Sequence, residues 1–424
     1  MKARLRYYFE NNPLWQTLFS LKGNPKACTF TEPLWGIAFA LYSPYLSVYM
    51  FQLGVTDFEI GIITTFGFVM QVFSALFGGL ITDRIGRRLT TIIFDILSWT
   101  VPLLLFIFAQ NFYFFLIGSF FNALYQVTNN SWTCLLVEDA EKDQLVNIFT
   151  WIQIAGLLSV FFAPIAVFVV GSFGVVTGVR IILAFAILSM TSKFLLLYRF
   201  TTETALGERK KKQMAGVSFG EQLKQYKGVL SRMAGSEPIR LIFLLMVLNQ
   251  VAMSFSGVYF GIYVTENLGL PASFLSLFPM IRAIMSFILI FTIQTRLNRL
   301  PFKIPFGIGL VLYIVGQVLL IGGSAIANSD WILPLILLYT LVEALATALV
   351  IPQRDSFLNR SLDEDDRARE LSIIDAAVVL LTAPIALGGA YLVQADRTVA
   401  FIITAIAHGI SLIFLLQYRA PADE

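Results

Sequence analysis

Long apolar stretches, separated by short polar breaks, occupy most of the 424-residue chain. A helix needs about 20 apolar residues to cross the hydrocarbon core of a bilayer, and twelve stretches reach that length. We therefore predict an all-α integral membrane protein with twelve membrane-spanning helices. The predicted spans are 33–53, 58–82, 89–109, 112–136, 145–170, 175–198, 239–264, 272–295, 303–324, 331–353, 370–393 and 398–418.

One polar break, 200–237, is much longer than the others and contains the basic run ERKKKQ. Within it, the apolar residues of SFGEQLKQYKGVLSRM recur at helical spacing. This spacing predicts either an amphipathic helix on the membrane surface or a solvated linker helix. The predicted organisation is a cytoplasmic segment 1–32, a six-helix bundle 33–199, a central loop 200–237, a second bundle 238–418 and a cytoplasmic tail 419–424.

Two short repeats relate the halves of the chain. FFAPIA at 161–166 returns as LTAPIA at 381–386, and DRIGR at 83–87 returns as TRLNR at 295–299. Both repeats place a helix against the helix six positions further along the chain. Because six is an even number, the two bundles have the same orientation and are related by an axis along the membrane normal. We therefore predict two pseudo-symmetric six-helix bundles.

Composition and charge agree with a membrane location. Hydrophobic residues make up 57% of the chain and charged residues 13%, against about 25% charged residues in soluble proteins. Lys and Arg lie almost entirely on one side of the predicted helices, which predicts that both termini are cytoplasmic in the cell membrane. Cys28 and Cys134 are far apart in the chain, so neither a disulfide framework nor a metal site is expected.

The stretch GGLITDRIGRR, which we call the signature loop (78–88), places charges and glycines between the second and third predicted helices. It matches the pattern G-x-x-x-D-R-x-G-R-R/K through Gly79, Asp83, Arg84, Gly86, Arg87 and Arg88. This pattern at this place resembles the signature of the major facilitator superfamily. The twelve helices, the central loop and the two halves extend the resemblance over the chain. The resemblance implies a secondary transporter with that superfamily's fold.

The resemblance also implies that the signature loop is a conformational gate. Asp83 is expected to meet the start of the eleventh helix, near Asp375, where the helix dipole favours a carboxylate. The arginines are expected to pair with Glu138 or Asp139, which follow the fourth helix. Asp95 is expected to be a gate or loop partner as well. The alternative is a loop whose arginines only fix the orientation of the chain in the membrane.

Two charged residues are predicted to lie within the membrane, where a charge costs about 2.5–3.5 kcal/mol at the centre. Arg282 and Glu343 lie in the eighth and tenth segments, at similar depth because both segments run in the same direction. We expect them to face each other or a common polar cavity. They form either a substrate or proton site or, alternatively, a static ion pair. His408, the one histidine of the chain, is expected to make a structural hydrogen bond.

Neutral polar residues complete the candidate substrate site. The resemblance implies that helices one, four, seven and ten line a central cavity, and polar clusters occur on the first three of these. Aromatic rings and amides suit an amphipathic organic molecule or a sugar, and the alternative is ordinary hydrogen bonding between helices. The candidates are Tyr42, Tyr45, Asn122, Gln126, Asn129, Asn249 and Gln250.

These observations predict a secondary active transporter that moves a small organic solute by alternating access. The chain contains no P-loop motif, so a gradient is the expected energy source, and titratable acids such as Glu343 favour protons. Export is favoured; the alternatives are an uptake permease or facilitator for a sugar or other metabolite, and a sensor that does not transport. One histidine and no convergent acid pair argue against an enzyme. We expect a monomer in the bilayer, without a cofactor, a metal ion or a nucleic-acid partner.

Overall fold

The structure, a computed structural model, describes residues 13–141, 144–214, 235–292, 301–361 and 367–418. Every regular element in these residues is a helix. Ten of the described helices are long and apolar enough to cross a membrane. Many large apolar side chains are exposed on the helix surfaces, and lipid tails, which are as apolar as leucine, can cover them.

The first four crossings follow the predicted order. Helix α1 is Gly23–Gln52, α2 is Asp57–Ile85 and α3 is Arg87–Ile107. The fourth crossing, α4, consists of two helices, Phe112–Ala123 and Tyr125–Val137, which meet at a turn. Because of this turn, neither part alone is long enough to count among the ten spanning helices.

The fifth and sixth crossings form one continuous apolar span, Asn147–Phe200, of 54 residues. At about 1.5 Å per residue this span is more than twice as long as the ~30 Å hydrocarbon core. Gly174 interrupts it with a φ of 75°, in the left-handed region that favours glycine. We therefore number residues 145–173 as α5 and residues 175–200 as α6.

The remaining six crossings make up the second half of the chain. They are α7 Glu237–Asn267, α8 Ala272–Leu289, α9 Lys303–Ile326, α10 Ile332–Ser361, α11 Arg367–Ala395 and α12 Thr398–Gln417. With the two irregular spans resolved, the described residues contain twelve crossings, and the predicted twelve-helix membrane fold is confirmed. Two shorter helices, Pro13–Ser20 and Ala205–Met214, precede α1 and follow α6. The predicted amphipathic segment of the central loop lies outside the described residues.

Helix α1 begins ten residues before the predicted span, which started at residue 33. Its first turns contain polar residues that a hydropathy pattern assigns to a loop. Two of these residues satisfy their hydroxyl groups locally: Thr29 donates to the carbonyl oxygen of Pro25, and Thr31 donates to that of Ala27, both at 2.8 Å. Such bonds to the preceding turn let threonine continue a helix, so the helix extends beyond the apolar stretch.

Asn24 joins three parts of the first half at the start of α1. Its Nδ2 donates to the carboxylate of Asp139 (2.6 Å) and to the carbonyl oxygen of Thr202 (2.9 Å). The backbone N–H of Thr202 donates back to Oδ1 of Asn24 (2.8 Å). The start of α1, the loop after α4 and the end of α6 are therefore held together by one side chain.

Each half of the chain forms a bundle, and the two bundles meet most closely at one end. We call this the Asp57 end, after the first residue of α2, and the opposite end the Asp83 end. Near the Asp57 end, one apolar core includes Ile60 of the first half and Ile262 of the second. At the Asp83 end, the buried residues of the two halves form separate clusters. The halves therefore share apolar packing at the Asp57 end.

Candidate functional site

The signature loop turns at Gly86, whose φ of 102° is unfavourable for a residue with a side chain. Helix α3 begins at the next residue. The carboxylate of Glu203 accepts the backbone N–H groups of Arg87 (2.9 Å) and Arg88 (3.1 Å), so it caps that helix from outside the loop. A Cβ atom at Gly86 would lie 2.5 Å from a Glu203 oxygen. Both the turn and the cap therefore require glycine at this position.

The side chain of Arg87 joins two carboxylates of the first half. Its Nη1 donates to Asp83 (2.8 Å) and its Nε donates to Glu138 (3.1 Å). Thr204 donates to the second oxygen of Glu138. The structure thus brings Arg87 to Glu138, one of its two expected partners, whereas Asp139 accepts its bond from Asn24. Asp83, expected to meet the eleventh helix, is paired within its own half.

The other residues of the signature loop have different surroundings. Arg88 donates to the carbonyl oxygen of Tyr198 (2.6 Å), and its guanidinium lies 4.2 Å from the centre of the Tyr198 ring. Arg84 is exposed. A Cβ atom at Gly79 would meet its nearest neighbour at 3.5 Å, an ordinary contact, but at Gly78 it would lie 3.2 Å from the backbone of Val127. The close approach of α2 to α4 therefore occurs at Gly78, one residue before Gly79, the first glycine of the signature pattern.

A cavity of about 550 Å³ lies between the two halves, lined by residues of α2, α4 and α11. Both carboxylates of the predicted gate, Asp83 from the first half and Asp375 from the second, line it. Two predicted substrate residues, Gln126 and Asn129, line the same cavity. The structure thus brings several of the predicted gate and substrate residues to one polar cavity.

At the Asp57 end, an ion pair joins the two halves. Nε of Arg397 donates to both carboxylate oxygens of Asp57 (3.1 Å each), and its second terminal nitrogen lies 3.0 Å from Oδ2. The same guanidinium also donates to Asn267 (3.2 Å), and the Tyr259 hydroxyl donates to the Asp57 carbonyl oxygen (3.0 Å). The sequence contains these charges, but nothing in it predicts that they form a pair.

Close packing supports this ion pair. A Cβ atom at Gly61 of α2 would lie 2.1 Å from the Cβ atom of Ala390 in α11, so these helices approach as closely as glycine allows. The hydroxyl of Tyr45 in α1 donates to Ser273 (3.0 Å) and Ser276 (2.9 Å) at the start of α8. Tyr45, predicted to face the substrate, is instead buried in the contact between the halves, where an aromatic ring and a hydroxyl can both be satisfied.

Within the second half, Arg282 and Glu343 form an ion pair, with Nη1 2.9 Å from Oε2. The side chain of Glu343 is 10% exposed and that of Arg282 39% exposed. His408 is buried nearby in the same bundle, stacked on Tyr313 with the ring centres 4.5 Å apart. One turn earlier on α12, the backbone of Thr404 interacts with the His408 ring. The structural hydrogen bond expected of His408 stays a prediction, and ring stacking also holds the side chain.

The remaining predicted substrate residues are dispersed. Tyr42 is buried against Phe39. Asn122 donates to the carbonyl oxygen of Ser98 (3.0 Å). Asn249 and Gln250 are half-buried on α7. Four of these predicted residues therefore lie outside the lining of the cavity between the halves.

Asp95, expected to be a gate or loop partner, instead lines a second cavity inside the first half, together with Asn122 and Asn129. Glu32 and Lys193 also line this second cavity, and sequence reasoning assigned neither of them. Lys193 could have been found as a charge inside a predicted membrane span. Glu32 lies one residue before the first predicted span, so it was not counted as a charge within the membrane.

Comparisons with known proteins agree on the fold. A sequence model of the Major Facilitator Superfamily matches residues 34–340. A mutant of the nucleoside transporter NupG is 16% identical, with 94% of this chain and 100% of that chain covered and a TM-score of 0.72. A POT family transporter in complex with 5-aminolevulinic acid is 14% identical (92% and 94% covered, TM-score 0.70).

A D-xylose–proton symporter is 15% identical, with 93% of this chain and 97% of that chain covered and a TM-score of 0.68. At such identities, the likeness to these three structures concerns the fold alone. No curated protein sequence matches this chain closely enough to count as a relative.

Proposed function

The chain belongs to the major facilitator superfamily, and we propose that this secondary transporter carries a small organic solute across the cell membrane by alternating access. The observation that carries the proposal is the asymmetry of the contact between the halves. At the Asp57 end they share an apolar core and the Asp57–Arg397 ion pair. Towards the Asp83 end, the cavity of about 550 Å³ lies between them. Such asymmetry is expected of one of two alternating states.

We propose that the signature loop controls closure of the Asp83 end. In the present state, Asp83 is held by Arg87 at 2.8 Å and faces the same cavity as Asp375 on α11. Rocking of the halves would close this cavity and bring Asp83 towards the start of α11. The pairing of Arg87 with Glu138 stays within the first half, so it can hold the loop in shape in both states.

We propose protons as the coupling ion, with Glu343 as the group that binds them. The Glu343 side chain is almost fully buried and is 2.9 Å from Arg282. Protonation of Glu343 would remove the charge that holds Arg282, which could then bind a solute or rearrange. A buried carboxylate that exchanges its partner in this way links proton binding to the conformation of the second half.

The test is counterflow in proteoliposomes, with and without a pH gradient. Nucleosides, pentoses and short peptides are suitable first solutes. Solved proteins of the same fold include a nucleoside transporter, a peptide transporter and a D-xylose–proton symporter. We expect at least one solute to exchange faster than in liposomes without the protein. A pH gradient should increase that rate further. The Glu343→Gln variant should keep exchange and lose the effect of the gradient, whereas Asp330→Asn, which removes an acid from an exposed loop of the second half, should keep both. Binding without exchange would indicate a sensor and contradict the proposal.

A further inference from the structure

The second cavity, of about 480 Å³, lies entirely within the first half. None of the gate and coupling residues proposed above lines it, and Asn129, a candidate substrate residue, lines both cavities. Its walls come from α1, α3, α4, α5 and α6, and five aromatic rings contribute to them. These rings belong to Trp35, Phe39, Trp99, Tyr125 and Trp132.

Two charges of the cavity already satisfy each other. Nζ of Lys193 lies 2.8 Å from Oε2 of Glu32. The same ammonium lies 5.8 Å from the centre of the Trp35 ring and 5.5 Å from that of Trp132, within the range of a cation–π contact. Lys193 thus occupies the faces of two of the five rings.

Asp95 is the third charged group in the lining of this cavity. The residue is 3% exposed, and its Oδ2 has no hydrogen-bond partner among the described residues. The neighbouring Thr128 hydroxyl interacts with the Asp95 carboxylate and lies 3.3 Å from the carbonyl oxygen of Thr91, so Oδ2 is the oxygen that lacks a partner. Lys193 attracts both Glu32 and Asp95, so the two carboxylates share one ammonium and one formal negative charge of the cavity has no counter-charge. A buried carboxylate needs a counter-charge or a proton, because leaving it unpaired is costly.

Three rings remain for a ligand beside this carboxylate. The centres of Phe39 and Tyr125 each lie 6.0 Å from that of Trp99, so the three rings form a continuous aromatic lining. Aromatic faces attract organic cations, and several of them together form the usual cage for a quaternary ammonium. The cavity therefore combines an uncompensated carboxylate with rings that suit a cation.

We propose that this cavity binds the ammonium group of an organic cation, with its charge next to Asp95 and its apolar part among Phe39, Trp99 and Tyr125. This inference rests on the proposed transport function and deepens it by giving the class of solute. Because Asn129 lies in the wall that the two cavities share, a cation held here is adjacent to the cavity between the halves.

The test compares choline with 3,3-dimethylbutanol, which has nearly the same shape but carbon in place of the charged nitrogen. The purified full chain is titrated with each, and the tryptophan fluorescence is recorded. We expect choline to bind at least about tenfold more tightly, as a desolvated cation–π contact with a carboxylate nearby predicts. Equal affinities would overturn the inference and would leave a proton as the counter-charge of Asp95. This comparison needs no variant, so it does not depend on the folding of a mutant.

Variants then locate the site. Asp95→Asn should abolish the preference for choline, while Asp330→Asn, which removes an acid from an exposed loop, should keep it. The fluorescence change should also persist in Trp331→Phe, because this exposed tryptophan lies outside the cavity. A choline preference that survives Asp95→Asn would place the cation elsewhere and overturn the assignment.

Counterflow of labelled choline separates this inference from the proposed function. Choline binding that depends on Asp95, together with exchange, supports both. Binding without exchange of any solute supports the site and contradicts the transporter. Exchange of other solutes without a choline preference overturns the cation site and leaves the transporter intact.

Discussion

Replacement of Arg397 by glutamine should open the Asp57 end. The guanidinium joins α2 to the loop between α11 and α12 through three contacts of 3.0–3.1 Å with Asp57. This ion pair crosses the two halves, so it exists only while they are together at this end. Its loss therefore raises the free energy of the present state and leaves that of the opposite state unchanged, which is the condition for a population shift.

The expected size follows from the burial of the pair. The side chains of Arg397 and Asp57 are 18% and 10% exposed, so the pair is largely shielded from water. Removing one partner of a fully buried pair costs about 3–5 kcal/mol, whereas an exposed pair contributes about 0–1 kcal/mol. An intermediate cost of about 2 kcal/mol shifts the equilibrium between the two states roughly 30-fold.

Spin labels on either side of the Asp57 end would measure this shift. Positions Phe173 and Trp331 carry exposed side chains in the first and second half, and cysteines there can be labelled after Cys28 and Cys134 are replaced by serine. Double electron–electron resonance gives the distribution of distances between the labels. Arg397→Gln should add a longer distance, or enlarge its share, in proportion to the population shift.

Arg180→Gln is the matched control. This arginine donates to the Tyr49 hydroxyl (3.2 Å) and to the Ala109 carbonyl oxygen (2.9 Å), both within the first half. Its loss removes a charge without separating the halves, and the distances should not change. The reasoning is refuted if Arg397→Gln leaves the distances unchanged, or if both variants shift them equally. The double variant with Asp57→Asn should shift them little more than Arg397→Gln alone, because both remove the same interaction.

Three further predictions concern glycine packing and the signature loop. Gly61→Val should slow exchange strongly, because its Cβ atom would lie 2.1 Å from that of Ala390, whereas Gly388→Ala meets open space and should behave as the unmodified chain in the same counterflow assay. Glu203→Gln should weaken the cap of α3 and lower the free energy of unfolding by about 1 kcal/mol, measured as a lower midpoint of thermal unfolding; an unchanged midpoint would contradict the capping role. Asp83→Asn should leave insertion and orientation intact and impair exchange, so unimpaired exchange would contradict its role in the gate.

The number and approximate position of the crossings could be predicted from the sequence because a bilayer imposes one strong requirement. A long apolar helix satisfies this requirement regardless of its neighbours. The start of α1 was missed because Thr29 and Thr31 satisfy their hydroxyls within the helix, and a hydropathy pattern counts them as polar. The break in α4 at Leu124 was missed because neither glycine nor proline, the residues that mark a turn, lies near it.

The candidate site was predicted less completely because its contacts join distant parts of the chain. Arg282 and Glu343 could be matched by depth, since each helix rises by a fixed distance per residue. The pairing of Asp57 with Arg397 depends instead on how one bundle packs on the other. The spacing of apolar residues along the helices carries no information about that packing. Tyr45 shows why spacing alone is not enough: its position suits a cavity face as well as a contact between bundles, and in this structure its hydroxyl lies in the contact.

The bonds of Asn24 also have a consequence for the order of events during synthesis. Its partner Thr202 lies 178 residues further along the chain, at the end of the sixth crossing, so the first bundle can complete this connection before the second exists. The Asp57–Arg397 pair joins residues 340 positions apart and must wait for the last crossing. At about 5–20 residues per second, the roughly 200 residues between Thr202 and Arg397 take about 10–40 s. During that interval, the ribosome-bound chain carries a finished first bundle whose face towards the second is still covered by lipid or by the insertion machinery.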